Sequence, residues 1–182
     1  MTGRLLRVSR RVAAFDLAVD RGFDRLRGNA VADRVFYAGS ELGDFGLLWV
    51  LLGTIKGLRR GNDLVTALRM TAAMGAESVL VNGVIKSCFR RTRPPWEVDR
   101  PLRVRRPLTS SFPSGHATSA VSAAMMLSED DDWWPFYVVL ASIVATSRIY
   151  VKIHHASDVA GGVAVGVALG MIGRRLLPAP RP

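Results

Sequence analysis

The chain has 182 residues, enough for one domain, and is 49% hydrophobic with mean hydropathy +0.19 while carrying a formal net charge of +10. That pairing argues against a soluble globular domain; the charges form no stripe interleaved with aromatics, which argues against nucleic acid as a partner. They sit at the N-terminus and between apolar runs, where a membrane protein meets anionic headgroups, and the single Cys88 excludes an intramolecular disulfide and a multi-cysteine metal site.

At the N-terminus Arg4, Arg7, Arg10 and Arg11 are followed by Asp16, Asp20 and Arg21 rather than by an apolar stretch, so no cleavable signal peptide is expected. Leu5, Leu6, Val8, Val12, Phe15, Leu17, Phe23 and Leu26 recur among Arg and Asp up to residue 35, the pattern of one or two amphipathic helices lying on the membrane. Five apolar runs follow: Phe45–Ile55, Met70–Ile85, Ala117–Ser128, Trp133–Ser147 and Val159–Gly173. Each falls short of the ~18 uncharged residues usual for a spanning helix. However, several end in charges that fit a site at the membrane surface, so the helices extend through them. Gly75, Ala76, Ala120, Ala124, Gly162, Gly166 and Gly170 recur as small residues do where membrane helices pack closely.

The expectation is an all-α integral-membrane bundle of five spanning helices, six if residues 11–35 insert, with an N-terminal amphipathic interfacial helix. It forms a single domain: an amphipathic segment 1–35, a catalytic bundle 36–176 and a tail 177–182. Between the runs, Arg90–Phe112 carries Pro94, Pro95, Pro101 and Pro107 and cannot be a long helix. Glu129–Asp132 is an acidic turn leading into Trp133 and Trp134, an interface signature.

Three clusters stand at the ends of these helices: Lys86 with Arg93-Pro94, Phe112-Pro113-Ser114-Gly115-His116, and Ser147-Arg148 with His154 and Asp158. Lys86 and Arg93 are two helical turns apart and share a face if the helix runs on to Pro94. A point charge and a planar fork fixed there suit a phosphate. Ser114-Gly115-His116 reads as a helix start, whose free N–H groups and positive dipole end attract anions. His154 and Asp158 are four apart, so on a helical face the carboxylate can accept from the imidazole and leave its other nitrogen to attack. Three cations, a helix N-terminus, two histidines and one carboxylate match phosphoryl transfer. No carboxylate cluster suggests a Mg²⁺ or Zn²⁺ site, so no metal and no cofactor is expected.

In this order and spacing the three clusters resemble the signature of the type 2 phosphatidic acid phosphatase family, whose site is shared with vanadium-dependent haloperoxidases. The signature runs from Lys86 to Asp158 with every defining position filled. The resemblance implies a membrane lipid phosphatase in which His154 attacks phosphorus, Asp158 orients it, and His116 protonates the leaving oxygen and then activates water. Lys86, Arg93, Arg148, Ser114 and the backbone of Gly115 and His116 would hold the phosphate. The expected substrate is a lipid phosphate, such as a polyprenyl phosphate or diphosphate, phosphatidylglycerol phosphate or phosphatidic acid, met at the cell membrane. Twenty-two Arg against three Lys, the composition of a GC-rich genome, tilts this toward a polyprenyl-linked cell-wall intermediate such as a decaprenyl phosphoribose. A lipid phosphotransferase using the same site, or a non-catalytic lipid carrier or scramblase, are the rival readings.

Other charged residues receive bland assignments. His155 is a bystander or helix-start residue, Lys152 an interfacial charge, and Arg90, Arg91, Arg103, Arg105 and Arg106 contact headgroups. Glu77, in the middle of an apolar run, is expected to make a structural hydrogen bond, with Arg69 on a similar face. Met70, Met74, Met125 and Met126 read as helix packing.

Overall fold

The computed structural model describes residues 2–61, 63–95, 104–105 and 107–179. The described residues form seven α-helices and no strand: α1 (Thr2–Asp24), α2 (Ala30–Leu42), α3 (Leu47–Arg60), α4 (Asp63–Ser78), α5 (Gly115–Leu127), α6 (Trp134–Tyr150) and α7 (Ala156–Leu176). All five apolar runs are helical, as expected. The amphipathic segment is not one unit, because Arg25–Asn29 breaks it and Asn29 caps α2 through bonds from Val31 N and Ala32 N. That second helix runs past residue 35 to Leu42.

α5 is the central helix. It is short and made largely of Ala and Ser, with Ala117, Ala120, Ala123, Ala124, Met126 and Leu127 all buried against α3, α4, α6 and α7. A helix apolar on every side belongs in the interior. Thr118, Ser119 and Ser122 turn their hydroxyls back onto backbone carbonyls of their own helix, so burying them leaves none unbonded.

The outer helices are two-faced in an inverted sense. α3 buries Trp49, Gly53 and Lys56 and exposes Leu47, Leu51, Ile55 and Leu58; α4 buries Met70, Met74 and Glu77 and exposes Leu64, Val65 and Leu68. Exposed Val138 and Val139 on α6 and Val163, Val167, Met171 and Ile172 on α7 continue this apolar exterior. So much contiguous apolar surface is stable only against lipid. Leu64–Cys88 and Ala156–Leu176 are each long and apolar enough to cross a membrane, and Ala30–Leu42 with Asp44–Arg60 passes the same test as one span bent by 63°. α5 and α6, at 13 and 17 residues, fall short of that length alone.

Small residues set how closely α5 and α7 approach. A Cβ on Gly162 would lie 2.5 Å from Ser114 O, and one on Gly166 2.7 Å from Thr118 O. The close-packing role expected of the glycines is therefore found at this contact, which also fixes α7 against the start of α5.

The ends of the bundle differ. At one, Lys56 Nζ donates to Leu127 O and Glu129 O (2.7 Å each), and Arg69 pairs with Glu129 and donates to Leu177 O at 2.6 Å. Arg69 thus serves the acidic turn rather than Glu77. At the other end lie the three clusters, with α1 docked across them.

Gly162→Ala is expected to lower the thermal unfolding midpoint in detergent by the equivalent of about 1–3 kcal/mol. Gly75→Ala, where no other side chain or helix comes within 4 Å, should leave it unchanged or slightly raised.

Candidate active site

The first cluster is built by a helix that changes pitch. After Ser78 the chain continues as a π-helical turn, Val79–Ile85, tightens to a 3-10 turn over Lys86–Cys88, and leaves the helix at an extended Phe89. Lys86 is buried and its Nζ donates to Asn82 Oδ1 at 2.9 Å. The helix expected to run to Pro94 does not form: it ends at Cys88, well before the proline, and Phe89 is already extended. Arg93 instead reaches the site from a loop. Its guanidinium donates to Ile153 O, Thr109 O and Ser110 O, each at 3.2 Å, and lies 3.1 Å from His154 Nε2.

The second cluster is the helix start expected of it. Ser114 is the N-cap of α5, its Oγ accepting from Ala117 N, and its own N–H donates to Asp158 O at 3.0 Å. A Cβ on Gly115 would lie 3.4 Å from Asn82 Oδ1 and 3.5 Å from Lys86 Nζ. The positive end of α5 and the Lys86 ammonium therefore border one small volume, where an anion gains from both.

The third cluster differs from a simple helical pair. His154 lies in the turn before α7, and His155 is the N-cap, its backbone N–H and its ring Nδ1 both reaching Asp158 Oδ2 (2.8 and 3.1 Å). His155 is thus a helix-start residue. Asp158 is fully buried; Ser111 Oγ donates to Oδ2 at 2.6 Å and Arg91 to Oδ1 at 2.7 Å. His154 Nδ1 stands 3.7 Å from Asp158 Oδ2 and 3.5 Å from Ser111 Oγ, so the carboxylate orients the ring by charge and through the serine rather than by a direct short bond. A guanidinium can only donate, so Arg93 at Nε2 makes that nitrogen the one with the lone pair. Burial, reinforced by the charges of Arg93 and Arg148 and partly opposed by Asp158, pushes the His154 imidazole down to about 3. The ring is neutral at physiological pH.

Arg148, 1% exposed at the end of α6, donates to Ser40 Oγ at 2.5 Å. His116 Nε2 faces two acceptors, Asp44 Oδ1 at 3.1 Å and Ser40 O at 3.2 Å, and so carries the proton. Asp44 is brought there by the sharp turn between α2 and α3, where Phe45 and Gly46 have φ of +59° and +69°. Gly43 permits this contact, since a Cβ on it would lie 2.8 Å from His116 Cδ2.

Lys86, Gly115, His116, Arg148 and His154 line a cavity of about 610 Å³, which also meets Asp44, Glu77 and Arg105. Arg93 borders it through His154; Ser114 and Asp158 stand behind it as supports. Every residue expected at the site is gathered at this end of the bundle. Among the described residues no three His, Cys, Asp or Glu side chains come together as metal ligands.

Several supports were not anticipated. Arg91, expected at headgroups, bridges Asp158, Ser157 Oγ and Asp16 (2.7, 2.7 and 2.6 Å). Asp16 also accepts from Ser157 N–H and Oγ, so α1 is tied to the start of α7 rather than only resting on the membrane. The signal was present: Val12, Asp16, Val19 and Phe23 share one helical face, a carboxylate within an apolar stripe. Lys152 joins the same end by pairing with Asp20 and Asp24 at 3.4 Å. Arg105 stacks over Phe45 at 4.8 Å, and Arg90 is exposed. Pro101, Arg103 and Arg106 lie outside the described residues. The hydrogen bond expected for Glu77 is not found, as its Oε1 has no partner.

Residues 66–181 match the family model of the PAP2 superfamily. Decaprenylphosphoryl-5-phosphoribose phosphatase of Mycobacterium tuberculosis is 37% identical over 139 residues, 73% of each chain. Among solved structures, the transmembrane PAP2 type phosphatidylglycerolphosphate phosphatase from Bacillus subtilis superposes with a TM-score of 0.71 at 23% identity, over 91% of this chain and 86% of that one. LpxE of Aquifex aeolicus gives 0.67 at 26% identity, over 87% and 94%.

Two measurements check this geometry. The His154 ring resonance should not titrate between pH 5 and 8, because the neutral base, the form able to attack, persists down to about pH 3; a transition near the ordinary 6.5 would contradict the buried, cation-flanked setting. Arg91→Ala, by leaving the Asp158 carboxylate short of a charged donor, should cut turnover roughly 10- to 100-fold and lower stability. Arg90→Ala should change neither.

Proposed function

This chain belongs to the PAP2 superfamily and is a lipid phosphatase, and we propose that it removes the terminal phosphate of a polyprenyl-linked sugar phosphate through a phosphohistidine on His154. The observation that carries the mechanism is the neutral His154 Nε2, presented beside Arg93 and opposite Lys86 and the start of α5. The similarity to a decaprenylphosphoryl-5-phosphoribose phosphatase over 73% of each chain supports the substrate class.

The phosphate of the substrate enters among Lys86, Arg93, Arg148 and the N–H groups of Gly115 and His116. His154 Nε2 forms a bond to phosphorus as the ester P–O bond breaks, and the departing oxygen takes the Nδ1 proton of His116, which enters the step as the imidazolium with its Nε2–H on Asp44 and leaves it neutral. His116, held by Asp44 and the Ser40 carbonyl, then removes a proton from water. The resulting hydroxide attacks phosphorus, the P–N bond breaks, inorganic phosphate leaves, and His154 is again neutral. The cations and helix dipole stabilise the charge on the equatorial oxygens in both steps, and a low-dielectric surround strengthens them. Ser111 and Asp158 orient the ring and balance the positive charge that develops on it.

The apolar exterior supports a membrane protein, and we assign it as a multi-pass protein of the cell membrane. Its lipid substrate keeps its tail in the bilayer while the phosphate enters the cavity.

Phosphate release by the detergent-purified protein, across polyprenylphosphoryl-5-phosphoribose, undecaprenyl diphosphate, phosphatidylglycerol phosphate and phosphatidic acid, tests this reading. Turnover should be fastest on the sugar phosphate, survive EDTA, fall with vanadate and drop at least ~10³-fold in His154→Ala. Undiminished release by that variant would contradict the mechanism, and a preference for phosphatidic acid would contradict the substrate class.

A further inference from the structure

The π-helical end of α4 holds more than the phosphate-binding lysine. Thr66, Arg69, Met70, Met74, Glu77 and Val81 form its buried stripe, and Glu77 is the one acidic group among them. Glu77 is 8% exposed, lines the same cavity as Lys86, His116 and His154, and has no hydrogen-bond partner at Oε1. Its neighbours on the helix are already matched to one another: Lys86 Nζ donates to Asn82 Oδ1 at 2.9 Å, and Asn82 Nδ2 donates to Ser78 Oγ at 3.3 Å. Arg69, the cation on a similar face, is committed to Glu129 and Leu177 O. Lys86 shares the cavity and offers it charge, but a buried carboxyl oxygen left without a hydrogen bond in an apolar stripe is costly and calls for a ligand that donates one.

The position says what that ligand is. Lys86 Nζ marks the phosphate and sits level with Asn82, because helical side chains lean toward the N-terminus. Glu77 lies five residues before Asn82, more than one helical turn deeper into the bundle. That is beyond the phosphate, on the side toward the membrane interior, where the leaving group of a lipid must lie. A carboxyl at this depth accepts hydrogen bonds from hydroxyl groups and gains nothing from an acyl or prenyl chain. Ser78, Asn82 and Ser119 line the same cavity and add further polar contacts.

We propose that Glu77 is a specificity residue that accepts a hydrogen bond from a hydroxyl of the leaving group, so that the cavity selects a phosphorylated polyol or sugar on its lipid over a lipid phosphate without hydroxyls. This rests on the phosphatase reading above and narrows it. Glu77 is not a catalytic residue in this account, since it touches neither phosphorus nor the breaking bond.

The test compares a short-chain prenylphosphoryl-5-phosphoribose with its analogue lacking the ribose 2- and 3-hydroxyls. The two share phosphate and tail, and both are assayed with wild type, Glu77→Ala and Glu77→Gln. Wild type should favour the hydroxylated substrate in kcat/KM by roughly 10- to 100-fold or more. Glu77→Ala should lose most of that ratio while changing the rate on the deoxy analogue only a few-fold. Glu77→Gln, which keeps an acceptor and removes the charge, should retain most of it. Equal losses on both substrates in Glu77→Ala and Glu77→Gln would make Glu77 a counter-charge for Lys86 and overturn the proposal. So would an unchanged ratio in the alanine variant, with thermal unfolding confirming that each variant is folded. Failure of the phosphatase reading itself has a different mark: wild type would release phosphate from neither substrate, or no faster than His154→Ala.

Discussion

A carboxylate with no exposure to solvent must be surrounded by donors, and Asp158 meets that demand in a way that assembles the whole site. Its side chain takes hydrogen bonds from Arg91 in the loop after α4, from Ser111 just before α5, and from the backbone and ring of His155. Its main-chain oxygen takes the N–H of Ser114, the cap of α5. All three clusters are thus fastened to one residue at the start of α7. Arg91 passes the constraint on to α1 through Asp16, so a helix far from the chemistry in sequence becomes part of its scaffold. Removing any one donor would leave charge buried and short of partners, which costs far more than a surface ion pair is worth.

The cations have a complementary problem. Lys86 and Arg148 line one cavity inside an apolar bundle and Arg93 borders it at His154, and like charges in a low dielectric repel. Side-chain and backbone oxygens keep them in place: Asn82 for Lys86, the Thr109, Ser110 and Ile153 carbonyls for Arg93, Ser40 for Arg148. Asp44 and Glu77 line the same cavity, and a phosphate dianion bound among the cations complements their charge directly. The same cations, together with burial, hold His154 neutral and able to attack. Affinity for the anion and reactivity of the nucleophile therefore come from one arrangement of charge, prepared before substrate arrives.

How much of this was legible in the sequence depended on whether a residue's role was local. The helix start at Ser114-Gly115 and the small-residue packing of α7 follow from neighbours within a turn or two, and both are found as expected. The shape of the first and third clusters was misjudged because periodicity alone cannot see a helix end. Lys86 and Arg93 look like a two-turn pair, yet the helix stops at Cys88 and Arg93 arrives from a loop. His154 and Asp158 look like a helical i, i+4 pair, yet the first lies outside the helix and Ser111 lies between them. Arg91, Ser111, Asp44 and Asp16 were missed because their partners are 47 to 141 residues away in sequence or sit on turns whose shape depends on packing. The all-α fold and the apolar exterior were readable from hydropathy; the way α1 locks onto the site was not.

The account stands or falls on covalent chemistry at His154. Rapid acid-free quenching of the wild-type protein during turnover on a ³²P-labelled lipid phosphate, followed by peptide mapping at alkaline pH, would test it directly, because phosphohistidine survives base and not acid. Label on the peptide carrying His154, absent in His154→Ala, is the result predicted here. Steady phosphate release with no labelled peptide at any time point, or label on His116 or His155 of otherwise active protein, would contradict it.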